Sequence, residues 1–190
     1  MIQAIRPAGP APTVRRTPVV YIKDADPEKI KRNAAEIAAA VDAERIRGEI
    51  AGVFVHQDCD AIEPAHEKLA AVIEEALAGA GVRGACAVTP AWELEAWWFL
   101  WPEAVAAVCR QWRAPDQYAG RDVGRLRDAK EALKRAVRPA GLKRSERFRE
   151  YTEGDSPTIA AKVREMGLID APQARSASFD AFRRKVEEAL

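Results

Sequence analysis

Three short apolar runs, each followed by a carboxylate-rich turn and separated by helix-length stretches of 3.6-residue periodicity, leave this chain few folds. The runs are Val19-Val20-Tyr21-Ile22, Val53-Phe54-Val55 and residues 82–88. They are rich in β-branched residues and bounded by turn formers, so they read as buried strands. After the first, Asp26 stands as a helix N-cap with Pro27 at the first helical position, and Ile30, Ala34, Ile37 and Val41 recur at helical spacing to about residue 44. After the second, a helix from about Glu63 to Ala78 carries Leu69, Val72, Ile73, Ala76 and Leu77 on one stripe and ends at Gly79 and Gly81. Strands alternating with helices imply right-handed crossovers and an α/β fold with a mainly parallel sheet and flanking helices. At 190 residues, 48% of them hydrophobic, the chain holds one sizeable core.

The middle strand sets the chemistry. Val53 to Val55 runs on into His56-Gln57-Asp58-Cys59-Asp60, and in an extended chain His56, Asp58 and Asp60 share a face while Gln57 and Cys59 point away. In a parallel sheet the loops after the carboxyl ends of the strands gather at one edge. Here those loops carry Asp24, Asp26 and Glu28, then Asp58 and Asp60, then Glu93 and Glu95. Such a cluster of like charges is costly unless it is solvated or neutralised. Oxygen-only ligands suit Mg²⁺ or Mn²⁺, and two such ions about 4 Å apart activate water and stabilise the leaving oxygen in phosphodiester cleavage. The simpler account is that acidic residues favour helix amino termini, each for roughly 0.3 to 1 kcal/mol. It serves for any one loop better than for three at one edge. His56 reads as a general base, a ligand or a hydrogen-bonded structural histidine. A zinc site from Cys59, Cys86, His56 and His66 is disfavoured because alternation turns Cys59 away from His56.

Beyond residue 101 the strand signal ends. Residues 102–112, 123–137, 157–166 and 178–189 read as helices, the last two with stripes at Ile159, Val163, Met166 and at Phe179, Phe182, Val186. Residues 1–17, with Pro, Ala and Arg but no periodicity, read as an irregular arm ahead of a single domain over 18–190. That domain has an acidic α/β part to about 101 and a helical part beyond. Trp97, Trp98 and Trp101 at helical spacing read as core and interface, and an exposed part of that face would favour a homodimer or partner. Three widely spaced cysteines without a Cys-x-x-Cys pair give no disulfide framework and fit a reduced cytoplasmic setting. No signal peptide or membrane-spanning run is expected.

Charge is balanced overall, 30 Lys and Arg against 29 Asp and Glu, but residues 121–149 hold eleven basic and four acidic residues. Lys130, Lys134, Arg135, Arg138, Lys143, Arg144, Arg147 and Arg149 form a basic segment suited to phosphate contact, against the plainer reading of a solvated face. No glycine-rich phosphate loop is present.

Several motifs together resemble a known family. Asp24-Ala25-Asp26-Pro27-Glu28 resembles the Glu-Gly-x-Thr-Glu turn of Toprim domains, with Asp24 and Glu28 in the acidic places. Asp58-Cys59-Asp60 resembles the Toprim Asp-x-Asp. The stretch from Pro90 to Trp98 is similar to the Glu-x-Glu-Ala-Trp segment of a small bacterial Toprim-like family related to the OLD nucleases. Asp128-Ala129-Lys130 matches that family's lysine-bearing helix, and Ser176-Ala177-Ser178-Phe179-Asp180-Ala181-Phe182 its Ser-x-Ser-Phe-x-x-Phe element. The resemblance spans about residues 19–190. The leading Glu of the first turn is Asp24 here, and the following Gly is Ala25.

The resemblance implies Mg²⁺- or Mn²⁺-dependent nuclease chemistry on nucleic acid, DNA ahead of RNA, in bacterial genome or phage defence. A partner protein such as an ATPase goes with it. It makes Asp24, Glu28, Asp58, Asp60 and Glu95 the metal ligands, Glu93 a ligand or base beside His56, and Lys130 the phosphate partner. Lys134, Arg138, Lys143, Arg144 and Arg147 would contact the nucleic acid. The alternative is a Toprim-like module that no longer cleaves and serves as a binding subunit.

Overall fold

The computed structural model describes residues 1–9, 11–15, 22, 26–141 and 147–190. The expected first strand lies outside these residues except for Ile22, and so do Asp24, Lys143 and Arg144. The described chain is a mixed α/β structure in which a small parallel sheet is flanked by helices.

Strand β1 (Phe54–His56) pairs in parallel with β2 (Cys86–Val88), Phe54 opposite Cys86 and His56 opposite Val88. The helix between them, α3 (Ala65–Gly79), makes the expected strand–helix–strand crossover. Before it, α2 (Pro27–Arg45) starts as the sequence dictates, with the Asp26 carboxylate accepting the Lys29 N–H at 2.9 Å and Pro27 in the first turn. Side chains engage the outer side of β2 and link the end of β1 to Ile22. Glu74 of α3 accepts the outward Ala87 N–H at 2.9 Å, while Lys185 donates to the Ala87 carbonyl at 3.2 Å and to Glu74 at 2.6 Å. On the β1 side Gln57 Oε1 accepts the Ile22 N–H at 3.2 Å, which puts Ile22 next to the middle strand.

Alternation along the strands divides the core in two. Val53, Val55 and Ala87 pack with α2 and α3 around Ile73, Leu77 and Val41. Phe54 and Val88 face the other way, into a larger tryptophan-rich cluster with the carboxyl-terminal helices. That cluster is centred on a 3-10 helix, Leu94–Leu100, and includes α4 (Pro102–Ala106), α5 (Ala129–Val137), α6 (Ser156–Glu165) and α7 (Ala177–Ala189). Trp97 stacks on Phe182 with ring centres 5.2 Å apart and meets Phe179 edge-on at 5.4 Å. Trp97, Trp98 and Trp101 are all buried, so they present no exposed aromatic face for a dimer.

Several expected boundaries move, each for a local reason. The third strand covers only Cys86–Val88, because Val82 turns its N–H back to the Leu77 carbonyl at 2.9 Å to finish α3, and Gly81 and Gly84 both take positive φ. The helix expected over 102–112 stops at Ala106, and Trp112 instead turns inward to donate Nε1–H to the Arg149 carbonyl at 2.6 Å. The helix expected over 123–137 is a 3-10 turn, Val123–Arg125, followed by a break at left-handed Asp128 and then α5. Met166 leaves its stripe, being 44% exposed where α6 ends before Gly167. At the amino terminus, where an irregular arm is expected, Ile2–Ile5 forms one helical turn, α1, with Ala4 buried and Ile2 and Ile5 packed on the larger cluster. Among the described residues no helix is long and apolar enough to cross a membrane.

Candidate functional site

The parallel ladder continues past the strands and joins two acidic loops. Gln57, Cys59 and Asp60 donate their N–H groups to the carbonyls of Val88, Pro90 and Trp92 at 2.9 to 3.0 Å, and Trp92 N–H returns to Ala61 at 2.8 Å. Asp60 and Trp92 reach this pairing through positive φ, 49° and 57°. Alternation holds throughout: Gln57 and Cys59 are buried, while His56, Asp58 and Asp60 lie on the open side. His56 Nε2 stands 3.3 Å from Asp58 Oδ1.

The carboxylates are fixed by helix starts. Asp58 Oδ1 accepts the Leu94 N–H at 3.1 Å, capping the 3-10 helix. Glu93 Oε2 accepts the Lys130 N–H at 3.0 Å in the first turn of α5. Acidic groups at helix amino termini are stabilising in their own right, by about 1 kcal/mol for a good cap. Each bond uses one oxygen, and the second oxygen of Asp58 and of Glu93 takes no described hydrogen bond.

Glu95 is the buried member, 5% exposed. Burial pushes its carboxyl above the ordinary value, and the nearby charges of Glu93 and Asp58 add to the rise, against hydrogen bonds from Tyr151 and from its own backbone. The Tyr151 hydroxyl donates to Glu95 Oε1 at 2.9 Å and lies 2.8 Å from Ser156 Oγ, which in turn accepts the Trp98 indole N–H at 3.0 Å. Burial and the Glu95 carboxylate push the Tyr151 hydroxyl upward, so it stays a donor at neutral pH. Lys130 completes the group. Its ammonium pairs with Glu153, which raises its pKa, and the charges of Glu95 and Glu93 act in the same direction.

Asp58, Glu93, Glu95, His56 and Lys130 are therefore brought onto one edge. Asp60 lies on the same loop, exposed. Glu28 sits exposed in the first turn of α2, and no described contact brings it into the group. Of the expected nucleic-acid contacts, Lys134 on α5 pairs with Glu131 at 2.6 Å, Arg138 stands over the Phe148 ring at 5.0 Å, and Arg147 is exposed. Among the described residues no three His, Cys, Asp or Glu side chains form a metal-binding group.

Sequence reasoning missed the segment over residues 149–156, which closes the edge. Arg149 pairs with the buried Asp155, Tyr151 reaches Glu95, Thr152 and Asp155 make a capping box, Glu153 reaches Lys130, and Ser156 holds Tyr151. The one legible signal was Thr152-x-x-Asp155 before Pro157, a helix start. Glu63 was missed too. Its carboxylate accepts Ser176 Oγ–H at 2.9 Å, Ala177 N–H at 3.0 Å and Ser178 N–H at 2.8 Å, so it caps α7. Ser178 Oγ then accepts the Trp97 indole N–H at 3.0 Å and the Ala91 N–H at 3.3 Å. The Ser-x-Ser-Phe-x-x-Phe element thereby fastens the loop that carries Glu93 and Glu95. No family model, curated protein or solved structure matches this chain.

Proposed function

We propose that the acidic edge is the site of Mg²⁺- or Mn²⁺-dependent phosphodiester hydrolysis on nucleic acid, DNA ahead of RNA, in a Toprim-like domain. The observation that carries this reading is the meeting of Asp58, Glu93 and Glu95 on two stitched loops, with the Lys130 ammonium acting on the last two. The donor chemistry fits a hard divalent ion, since every carboxylate there offers oxygen. Mg²⁺ is commonly held by one or two carboxylates together with waters and substrate phosphates, so a full protein cage is not required. Asp58 and Glu93 would hold the ion through their uncommitted oxygens, with Glu95 beside them and Asp60 on the same loop, while Asp24 and Glu28 rest on the resemblance alone. When bound, the ion would activate water and neutralise charge at the phosphate.

The chain's own groups do the rest in this reading. His56, with Nε2 3.3 Å from Asp58 Oδ1, would serve as the general base toward water at this edge. Lys130 receives a phosphate oxygen, and the basic stretch of sequence with Lys134, Arg138, Lys143, Arg144 and Arg147 would contact the backbone. The resemblance adds a role in bacterial genome or phage defence and a partner protein such as an ATPase, and the widely spaced cysteines fit a cytoplasmic setting.

The test is cleavage of supercoiled and linear DNA, and of RNA, with Mn²⁺ or with EDTA. We expect Mn²⁺-dependent breaks from the native chain, lowered at least a hundredfold by Asp58→Ala and by Lys130→Ala, with melting unchanged by more than a few degrees. Cleavage that survives Asp58→Ala or EDTA contradicts the reading. A second reading, a non-cleaving binding subunit, is favoured by the capping roles of Asp58 and Glu93, which account for both carboxylates without a metal. It predicts no cleavage and a partner affinity that Asp58→Ala leaves nearly unchanged.

A further inference from the structure

Among the described residues the carboxyls of Asp58, Glu93, Glu95 and Glu153 gather about the Lys130 ammonium, while the Arg149 guanidinium beside them is engaged by Asp155. A phosphate arriving at Lys130 meets an ammonium that Glu153 already holds. Its holder is unlike the other three carboxylates. Asp58 and Glu93 cap helices and Glu95 is buried on Tyr151, whereas the Glu153 side chain is 71% exposed. Its backbone is nevertheless fixed. Glu153 opens the 3-10 turn Glu153–Asp155, locked by the Thr152–Asp155 capping box, by the Arg149–Asp155 pair and by Tyr151 on Glu95. Only the side chain is free to swing, and an exposed ion pair of this kind holds by no more than about 1 kcal/mol.

We propose that Glu153 is a displaceable stand-in for phosphate: its carboxylate occupies the Lys130 ammonium in the free protein, and an incoming phosphate takes that ammonium while Glu153 turns out to solvent. The proposal rests on the reading of Lys130 as the phosphate-receiving group. Ligands that merely carry charge would not compete well with a carboxylate tethered beside Lys130. A phosphate of a nucleic-acid backbone, or a free nucleotide or inorganic phosphate, shares the chemistry needed, and the three are separated by experiment.

The full chain and its Glu153→Gln variant are treated with an amine-acylating reagent, and labelling of Lys130 is followed by peptide mass spectrometry. Lys162, paired with Glu165 on α6 and outside the proposed interface, is the internal reference. Labelling is repeated in Mg²⁺ with a short DNA duplex, with a nucleotide and with inorganic phosphate. Far-ultraviolet circular dichroism and melting establish that the variant is folded. In the free chain Glu153→Gln should raise Lys130 labelling about two- to fivefold over Lys162, as loss of an exposed pair allows. The duplex should protect Lys130 in both chains, at a several-fold lower concentration in the variant. Equal protection by nucleotide or inorganic phosphate would assign the stand-in to a free phosphate ligand instead of a backbone. Unchanged labelling in Glu153→Gln overturns the stand-in and leaves the proposed function standing. Raised labelling with no protection by any of the three ligands overturns the phosphate reading of the edge, and the stand-in with it.

Discussion

At the scale of single residues, Glu95 decides how the edge behaves with pH. Its carboxyl is raised above the ordinary value of 4.5, first by burial and then by Glu93 and Asp58. A raised acid binds its proton more tightly in the folded state, so its contribution to stability is full below 4.5 and is lost as pH climbs through the raised value. Melting in EDTA across mildly acidic pH should therefore differ between the native chain and Glu95→Gln. The native chain should lose stability relative to the variant as pH rises from 4.5, and parallel curves would contradict this. The facing of His56, Asp58 and Asp60 was legible in the sequence because a period of two needs no tertiary information. Tyr151 was not legible. Its bond to Glu95 spans 56 residues of chain and leaves no local pattern.

Among elements, α7 and the Glu93 loop are coupled through Glu63, and Gly124 is the position that tests the coupling. A Cβ at residue 124 would overlap the Glu63 carboxylate, so the absence of a side chain there is a matter of space and not of backbone conformation. Gly124→Ala should push Glu63 off the α7 start and cost about 1 to 3 kcal/mol. In a Glu63→Ala background the same change should cost much less, a non-additivity that denaturant unfolding of the four chains measures. Additive costs would show that the two residues act separately. The same coupling explains which helices could be read in advance. Residues 27–45 and 177–189 have strong caps and periodic stripes, and both were found close to their true limits. Residues 107–112 and 123–128 have helical composition, but the needs of Trp112 and of the Glu63–Gly124 contact override it.

On the scale of the whole molecule, one strand pair with alternating faces separates an α2–α3 layer from a tryptophan-rich layer, and the acidic loops emerge where the two meet. The α/β class and the crossover were legible because apolar runs and helical stripes are local. The closing of the edge by residues 149–156 was not, because it depends on where the second layer docks. If the basic face of α5 adds phosphate contacts, DNA affinity should fall steeply with salt, and Lys134→Ala combined with Arg138→Ala should make that slope shallower by one to two. An unchanged slope would remove α5 from the interface.

The most direct measurement is calorimetric titration of the native chain with Mn²⁺, with the Asp58→Ala/Asp60→Ala double variant alongside and melting of both followed with and without the ion. The account predicts saturable binding and a raised melting temperature for the native chain only. Equal binding by the two chains, or none by either with both folded, would contradict a metal-dependent edge.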